Sequence, residues 1–308
     1  MSERVRIGTR GSPLALRQAA LVAEGLRGAW PGLAVELVAI RTSGDKLPQA
    51  DLAVIGGKGL FVKEIEDALL EGRIELAVHS LKDLPAGVPK GLTLAAFPER
   101  EDPRDVLVSR SGAGLAGLPA GARIGTSSLR RKVQLLARRP DVEVEAIRGN
   151  VETRLRKLET VPYDGVVLAA AGLRRLGLEP PGAVILSPDE MLPAVGQGTL
   201  AVETREDDEA TRRLVEALDH AETRAATLAE RAFLEAVGGS CTTPLAAYAR
   251  FEAGRLRLSA FVATPDGTRV LRHEEALDRG TPGDLGELVA TRMLAQGAAE
   301  IVAAGPVP

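Results

Sequence analysis

Twice along this chain, short apolar strand patterns alternate with amphipathic helix patterns, and that alternation restricts the fold more than any other feature. In the first stretch, Val5-Arg6-Ile7-Gly8 reads as a strand, and Thr9-Arg10-Gly11-Ser12-Pro13 turns into a helix. Ser12 suits the N-cap and Pro13 the first helical position. Leu14, Leu21, Val22 and Leu26 give that helix one apolar face. A strand over Val35 to Ile40, a helix over Phe61 to Leu70 and a buried strand over Glu75 to His79 follow. This order is the pattern of a doubly wound sheet with parallel strands. The segment from Arg41 to Gly59 has no periodicity, and loops of that length are more often functional than idle.

After the charged, proline-bracketed segment Pro98 to Pro103 the pattern restarts. Strands over Val106 to Val108, Arg123 to Gly125, Val142 to Ile147 and Gly165 to Ala169 are expected. Helices are expected from about Ser128 to Arg138, from Val151 to Leu158 and around Leu173. Leu192 to Gly198 reads as a second crossing segment. Residues 207–236 are almost wholly helical in pattern. Three alternating runs (Ala246 to Phe251, Arg257 to Val262, Arg269 to Glu274), with a turn at Pro265-Asp266-Gly267, suggest an antiparallel meander. A last helix spans Asp284 to Ala303. The fold class is therefore α/β: two doubly wound lobes with a cleft between them, plus a C-terminal α+β domain holding a small antiparallel sheet. The boundaries are 1–98 with 199–216 for the first lobe, 104–192 for the second, and 221–308 for the third domain.

Composition removes several function classes. With 308 residues there is ample length for real cores, and 45% hydrophobic and 26% charged content is ordinary for a globular protein. One cysteine excludes an internal disulfide and fits a reducing cytoplasm. Met1-Ser2-Glu3-Arg4 leads straight into a strand without an apolar signal core, and no run approaches a membrane span. A net charge of −3 and 3% aromatic residues argue against nucleic-acid binding. His79, His220 and His273 are scattered without ligand spacing, so no metal site is expected.

Chemistry-bearing residues gather at strand ends. His79-Ser80-Leu81-Lys82-Asp83-Leu84-Pro85 follows a buried strand, where doubly wound folds place ligand groups, although such a cluster also suits an exposed turn. Gly125-Thr126-Ser127-Ser128-Leu129-Arg130-Arg131 joins a strand to a helix N-terminus, a natural anion site. Ile147-Arg148-Gly149-Asn150-Val151-Glu152-Thr153-Arg154 and Thr9-Arg10-Gly11-Ser12 repeat the design. Arginine is the natural fork for a carboxylate. Three such loops argue for a ligand bearing several carboxylates, since no phosphate-binding glycine loop is present. Cys241, in Val237-Gly238-Gly239-Ser240-Cys241-Thr242-Thr243-Pro244, sits where glycines and Pro244 force a loop. Taken alone, a single cysteine reads as a small buried hydrophobe.

The motifs at residues 9–15, 56–61, 79–83, 125–131 and 192–198, with the cysteine loop, resemble the hydroxymethylbilane synthase (porphobilinogen deaminase) family over essentially the whole chain, in the family's order. The resemblance implies a transferase of porphyrin, and so haem, biosynthesis. Such an enzyme joins four porphobilinogen molecules head to tail with loss of ammonia, and water then releases the linear tetrapyrrole. It implies a dipyrromethane cofactor held by a thioether to Cys241. Asp83 is implied as the catalytic carboxylate, beside pyrrole N–H groups where cationic intermediates form. Lys82, Ser128, Arg130 and Arg131 are implied to hold carboxylates of one cofactor ring, with Thr126, Ser127 and Gly149 in the same cofactor-binding set. Arg10, Ser12, Arg148 and Arg154 are implied to hold the other ring and the growing chain, with Arg175 and Gln197 close by and Lys58 gating the cleft. Two departures stand out: Val54 replaces a frequent lysine, and Ser240 replaces a frequent glycine before the cysteine. The implied partner is porphobilinogen, with no nucleic acid and no membrane. The expected state is a cytoplasmic monomer that hands its product to the next enzyme of the pathway.

Two lobes joined by two crossings also resemble the clamshell of periplasmic binding proteins. A solute-binding protein is therefore the rival from another class; it predicts no covalent adduct and no essential Asp83. A ligand-sensing DNA-binding regulator would need a helix-turn-helix module, and the N-terminus begins directly with a strand.

Overall fold

The computed structural model describes residues 4–43, 62–239 and 243–303. The chain divides into two units, one formed by residues 1–100 with 199–224 and the other by residues 101–198 with 225–308.

The first unit is built on a five-stranded mixed sheet. Strand β1 (Arg4–Arg10) leads through the Ser12 cap into α1 (Pro13–Ala29), then β2 (Ala34–Ile40), α2 (Lys63–Leu70), β3 (Leu76–Ser80) and β4 (Leu92–Ala96). The cap and the N1 proline are as the sequence predicts: Ser12 Oγ accepts from Ala15 N at 3.3 Å. Ala19, Val22, Ala23 and Leu26 fall on one side of α1 and are fully buried against Val5, Ile7, Leu76 and Val78. Burying such side chains contributes about 1.5–3 kcal/mol for each of the larger ones. The strand order is β2-β1-β3-β10-β4, in which β10 (Leu200–Arg205) runs antiparallel to both neighbours. Only β2, β1 and β3 form the continuous parallel run that the alternation predicts.

The expected helix over 207–236 is two helices, α6 (Glu209–Glu216) and α7 (Ala221–Val237). The break has a polar cause. Asp219 leaves the helical path to accept from Phe97 N at 2.8 Å and from Arg224 Nε at 2.6 Å, while His220 N donates to Phe97 O at 2.9 Å. Helix α7 starts in the first unit and continues in the second.

The second unit repeats the sheet. It contains β5 (Asp105–Ser109), β6 (Arg123–Gly125), α3 (Leu129–Arg138), β7 (Glu143–Glu145), α4 (Val151–Thr160), β8 (Gly165–Ala169), α5 (Ala170–Arg175) and β9 (Ala183–Ile185). The order is β7-β6-β8-β5-β9, with β5 antiparallel to β8 and β9. In both sheets, then, the strand that follows a crossing segment enters in reverse direction as the fourth strand. Glu101 N donates to Gly198 O at 3.2 Å, which runs the two crossing segments side by side. Gly198 has φ +88°, and a Cβ there would lie 2.2 Å from Glu101 O, so only glycine fits.

The rest of this unit is the antiparallel sheet β11 (Leu245–Glu252), β12 (Arg255–Ala263) and β13 (Val270–Ala276), with α8 (Pro282–Ala295) and α9 (Ala298–Ala303). The single last helix of the sequence reading is divided at Gly297, whose φ is +91°. Phe261, Ala246 and Ala263 share a buried cluster with Val133 of α3 and Leu192, so the small sheet is packed on the α/β sheet's own helix.

Candidate active site

In the first unit, β1 and β3 are parallel neighbours, so the loops after Arg10 and Ser80 leave the same sheet edge. Gln18 of α1 is buried and ties the second loop down, its Nε2 donating to Ser80 Oγ at 2.8 Å. Residues Leu81–Asp83 form one 3₁₀ turn, closed by Leu84 N on Leu81 O at 3.0 Å. Side chains three apart eclipse in such a turn. Leu81 and Leu84 therefore both enter the core with Val62, Phe97 and Ala201, and the two residues between them are held outward. Asp83 is exposed and makes no hydrogen bond or ion pair with the described residues; Lys82 beside it is half-buried. Arg10 and Ser12, both half-buried, stand on the neighbouring loop.

In the second unit, β6, β7 and β8 are parallel, which brings the ends of all three to one edge. The hydroxyls after β6 are each engaged. Thr126 Oγ1 accepts from Ser128 N, Ser127 Oγ donates to Ile147 O at 2.6 Å, and Ser128 Oγ caps α3 by accepting from Arg131 N. Ser127 thereby joins the β6 loop to the Arg148 loop. Arg148 is half-buried, and its guanidinium makes no hydrogen bond or ion pair with the described residues. Gly149 has φ +115°, a left-handed conformation that only glycine adopts cheaply, and its carbonyl accepts from Arg154 Nε at 2.8 Å. Arg175 Nη2 donates to Gly198 O at 2.6 Å; burial pushes its pKa down to about 10, opposed by Glu101, so it stays charged at neutral pH.

Arg130 and Arg131 are not surface arginines. They are 5% and 6% exposed, and both close on Asp105, which is completely buried. Asp105 Oδ1 accepts from Arg131 Nε at 3.1 Å, Arg131 Nη2 at 2.7 Å and Gln197 Nε2 at 3.0 Å, while Oδ2 accepts from Arg130 Nη1 at 2.7 Å. Leu192 O and Val167 O take one further guanidinium N–H each. Burial alone would raise the Asp105 carboxyl, but the two guanidiniums overcome that and hold it well below the ordinary carboxylate range. Burial also lowers Arg130, with Asp105 opposing. Two guanidiniums and one carboxylate leave one positive charge in excess inside this cluster. Buried charge requires a partner, so the cluster suits a carboxylate-bearing ligand.

Sequence reasoning missed Asp105, Gln134 and Glu230. Gln134 lies one turn after Arg130 and holds Leu192 by both backbone groups, accepting from Leu192 N at 2.8 Å and donating to its carbonyl at 3.1 Å. Glu230 of α7 accepts from Gly196 N at 2.6 Å and Ala249 N at 2.8 Å. The one-turn spacing of Gln134 from Arg130 was an available signal. Nothing local marks Asp105 or Glu230, whose partners are distant in sequence. Gln197, expected near substrate, is 1% exposed and has its amide on Pro103 O and Asp105. Cys241, Ser240, Lys58 and Val54 lie outside the described residues. Helix α7 ends at Val237 and β11 begins at Leu245, so the cysteine stands in the connection between them. Among the described residues no three His, Cys, Asp or Glu side chains are grouped to hold a metal ion.

The family model described as porphobilinogen deaminase, dipyromethane cofactor binding domain, matches residues 5–213, and that for the porphobilinogen deaminase C-terminal domain matches residues 225–295. The chain is 48% identical over 303 residues to a porphobilinogen deaminase of Syntrophobacter fumaroxidans, covering 98% of both chains. It is 52% identical over 303 residues to one from Acidithiobacillus ferrooxidans, with the same coverage. Among solved structures it is similar to the methionine binding protein MetQ, with TM-score 0.44 and 14% identity over 72% of this chain and 92% of that one.

Proposed function

The chain belongs to the porphobilinogen deaminase family, and from that premise we propose how its own residues divide the work of the reaction. It is a hydroxymethylbilane synthase: it joins four porphobilinogen molecules head to tail, each with loss of one ammonia, and releases the linear tetrapyrrole by hydrolysis. The dipyrromethane cofactor, when bound, supplies the pyrrole carbon to which the first substrate ring is joined.

The observation that carries the assignment of residues is the excess positive charge of the Asp105 cluster. Arg130 and Arg131 keep N–H groups beyond those used on Asp105, Leu192, Val167 and Gln197, and they hold a pyrrole carboxylate there. Holding only one net charge, they favour one carboxylate over two. Arg148 and Arg154, with the N-terminus of α3, take further acetate and propionate groups, by charge-assisted hydrogen bonds. Asp83 does the chemistry. Its carboxylate stands on a turn fixed by two buried leucines and accepts from pyrrole N–H groups. It thereby stabilises positive charge that develops in the rings and assists proton movement. Cys241 is the attachment point, in the part of the chain between α7 and β11. A single chain carries every residue this reading uses, so the proposed working unit is a monomer, and the proposed location is the cytoplasm, where the thiol stays reduced.

Asp83→Asn tests the assignment. It keeps shape and one acceptor oxygen but removes the charge. Turnover measured by ammonia release should fall by at least ~10²-fold, the scale for losing one preorganised electrostatic group. The melting temperature should stay unchanged. An unchanged rate with a lowered melting temperature would leave Asp83 a structural residue.

A further inference from the structure

Behind the Asp83 turn lies a buried polar pair for which the reaction has no evident use. His79 Nε2 is 3.1 Å from Glu203 Oε2, and the two side chains are 6% and 1% exposed. The imidazole and the carboxyl group share this one hydrogen bond. The pair crosses from β3 to β10. In that ladder Ala201 opposes His79 and Glu203 opposes Ala77, so the bond runs diagonally between neighbouring pairs.

Apolar side chains pack around the pair. Ala77 packs with Ile65 and Leu69 of α2, and Ala201 with Leu81, Leu84 and Phe97. Other charged groups face it among the described residues. Glu66 of α2 is half-buried, and burial first, then Glu203, raises its carboxyl above the usual range. Lys63 and Asp67, also on α2, bond each other at 2.7 Å. Arg205, two residues past Glu203, is on Asp208 and on the carbonyls of Leu69 and Ile74. Arg10 stands on the same face of β1 by the Gly8–Ala77 register. His79 is thus the one hydrogen-bond partner found for Glu203 among the described residues.

The position in the ladder gives the pair a task. Leu200 opposes Ser80, and Leu81 N then donates to Thr199 O at 3.0 Å, after which the chain turns to present Lys82 and Asp83. His79 is the last fully buried strand residue before that turn. A one-residue slip of β3 against β10 would put His79 and Glu203 on opposite faces of the sheet and carry the turn with it. A buried pair is weak as a source of stability but is well suited to fixing one register.

We infer that His79 and Glu203 are positioning residues: their cross-strand bond locks the β3–β10 register and so sets the place of the Asp83 carboxylate. This rests on the assignment of Asp83 as the catalytic group. A kinetic double-mutant cycle on the holoenzyme, read by ammonia release from porphobilinogen, separates the two claims. Glu203→Ala, which removes the acceptor, should lower kcat about tenfold with KM within twofold and with the cofactor mass still present, and Glu203→Gln, which keeps an acceptor oxygen, should retain more activity. His79→Gln, which keeps a donor, should likewise retain more activity than His79→Leu. In an Asp83→Asn background, Glu203→Ala should produce no further loss beyond about twofold, because its effect passes through that carboxylate. Equal fold-losses in both backgrounds, or a lowered melting temperature with kcat intact, would overturn the positioning role while leaving Asp83 in place. Wild-type turnover of Asp83→Asn alone would overturn both readings. If His79→Leu fails to fold, the Glu203→Ala cycle still decides.

Discussion

Replacing Asp105 by asparagine removes the one negative charge held between two buried guanidiniums. The carboxylate accepts four hydrogen bonds, three of them from arginine at 2.7–3.1 Å. At ~4 Å between charge centres and an effective dielectric of ~20, each pair is worth about 4 kcal/mol of attraction. Desolvation offsets much of that in the intact protein, but removing only the carboxylate loses the attraction and leaves both guanidiniums desolvated without it. Breaking a buried pair in this way costs about 3–5 kcal/mol. At ~2–4 °C per kcal/mol for a chain of this class, the melting temperature should fall by about 10 °C. Thermal unfolding followed by circular dichroism reads this directly. The pH dependence gives an independent sign. The folded-state carboxyl lies below its unfolded value of about 3.9, so its stabilisation is complete above that value and is lost as pH falls towards the folded one. The gap between wild type and Asp105→Asn should therefore be widest near neutral pH and close in acid. A melting temperature within 2 °C of wild type at pH 7 would refute the reasoning.

Two further outcomes follow from the same geometry. Arg148→Leu should fold normally, because that guanidinium bonds to none of the described residues, yet KM should rise about tenfold or more for loss of a charged hydrogen bond of about 1.5–3 kcal/mol; steady-state kinetics beside a melting curve check both halves. Gly198→Ala should destabilise by at least about 2–3 kcal/mol, combining a positive φ with overlap on Glu101 O, whereas Gly177→Ala, at φ +65° with open space around it, should cost only about 1 kcal/mol, as chemical denaturation would show.

Where the sequence was legible, the physics was local. The Ser12 cap with Pro13 and the strand over Arg123 to Gly125 depend on neighbours within a few residues. Strand β10 was not legible, because it is buried on both faces and carries Glu203 inside, which erases the period-two alternation. The division at Asp219 and the insertion of β5 and β10 in reverse direction depend on partners dozens to more than a hundred residues away. The site shows the same limit. Sequence reading treats Arg130, Arg131 and Arg148 as equivalent loop arginines, yet two are sealed around Asp105 and one is half-buried without such a partner. Only the fold separates a group that both holds structure and offers charge from one that offers charge alone. Replacing Arg130 or Arg131 is accordingly a stability experiment before it is a binding experiment.

The central claim is that the chain primes its own reaction on a dipyrromethane joined to its single cysteine. Intact-protein mass spectrometry of wild type and Cys241→Ser tests it most directly. The account predicts the added mass of two linked pyrroles on the wild-type chain, and the bare sequence mass with no tetrapyrrole synthesis for Cys241→Ser. An active wild-type protein at bare mass, or the same adduct on Cys241→Ser, would contradict it.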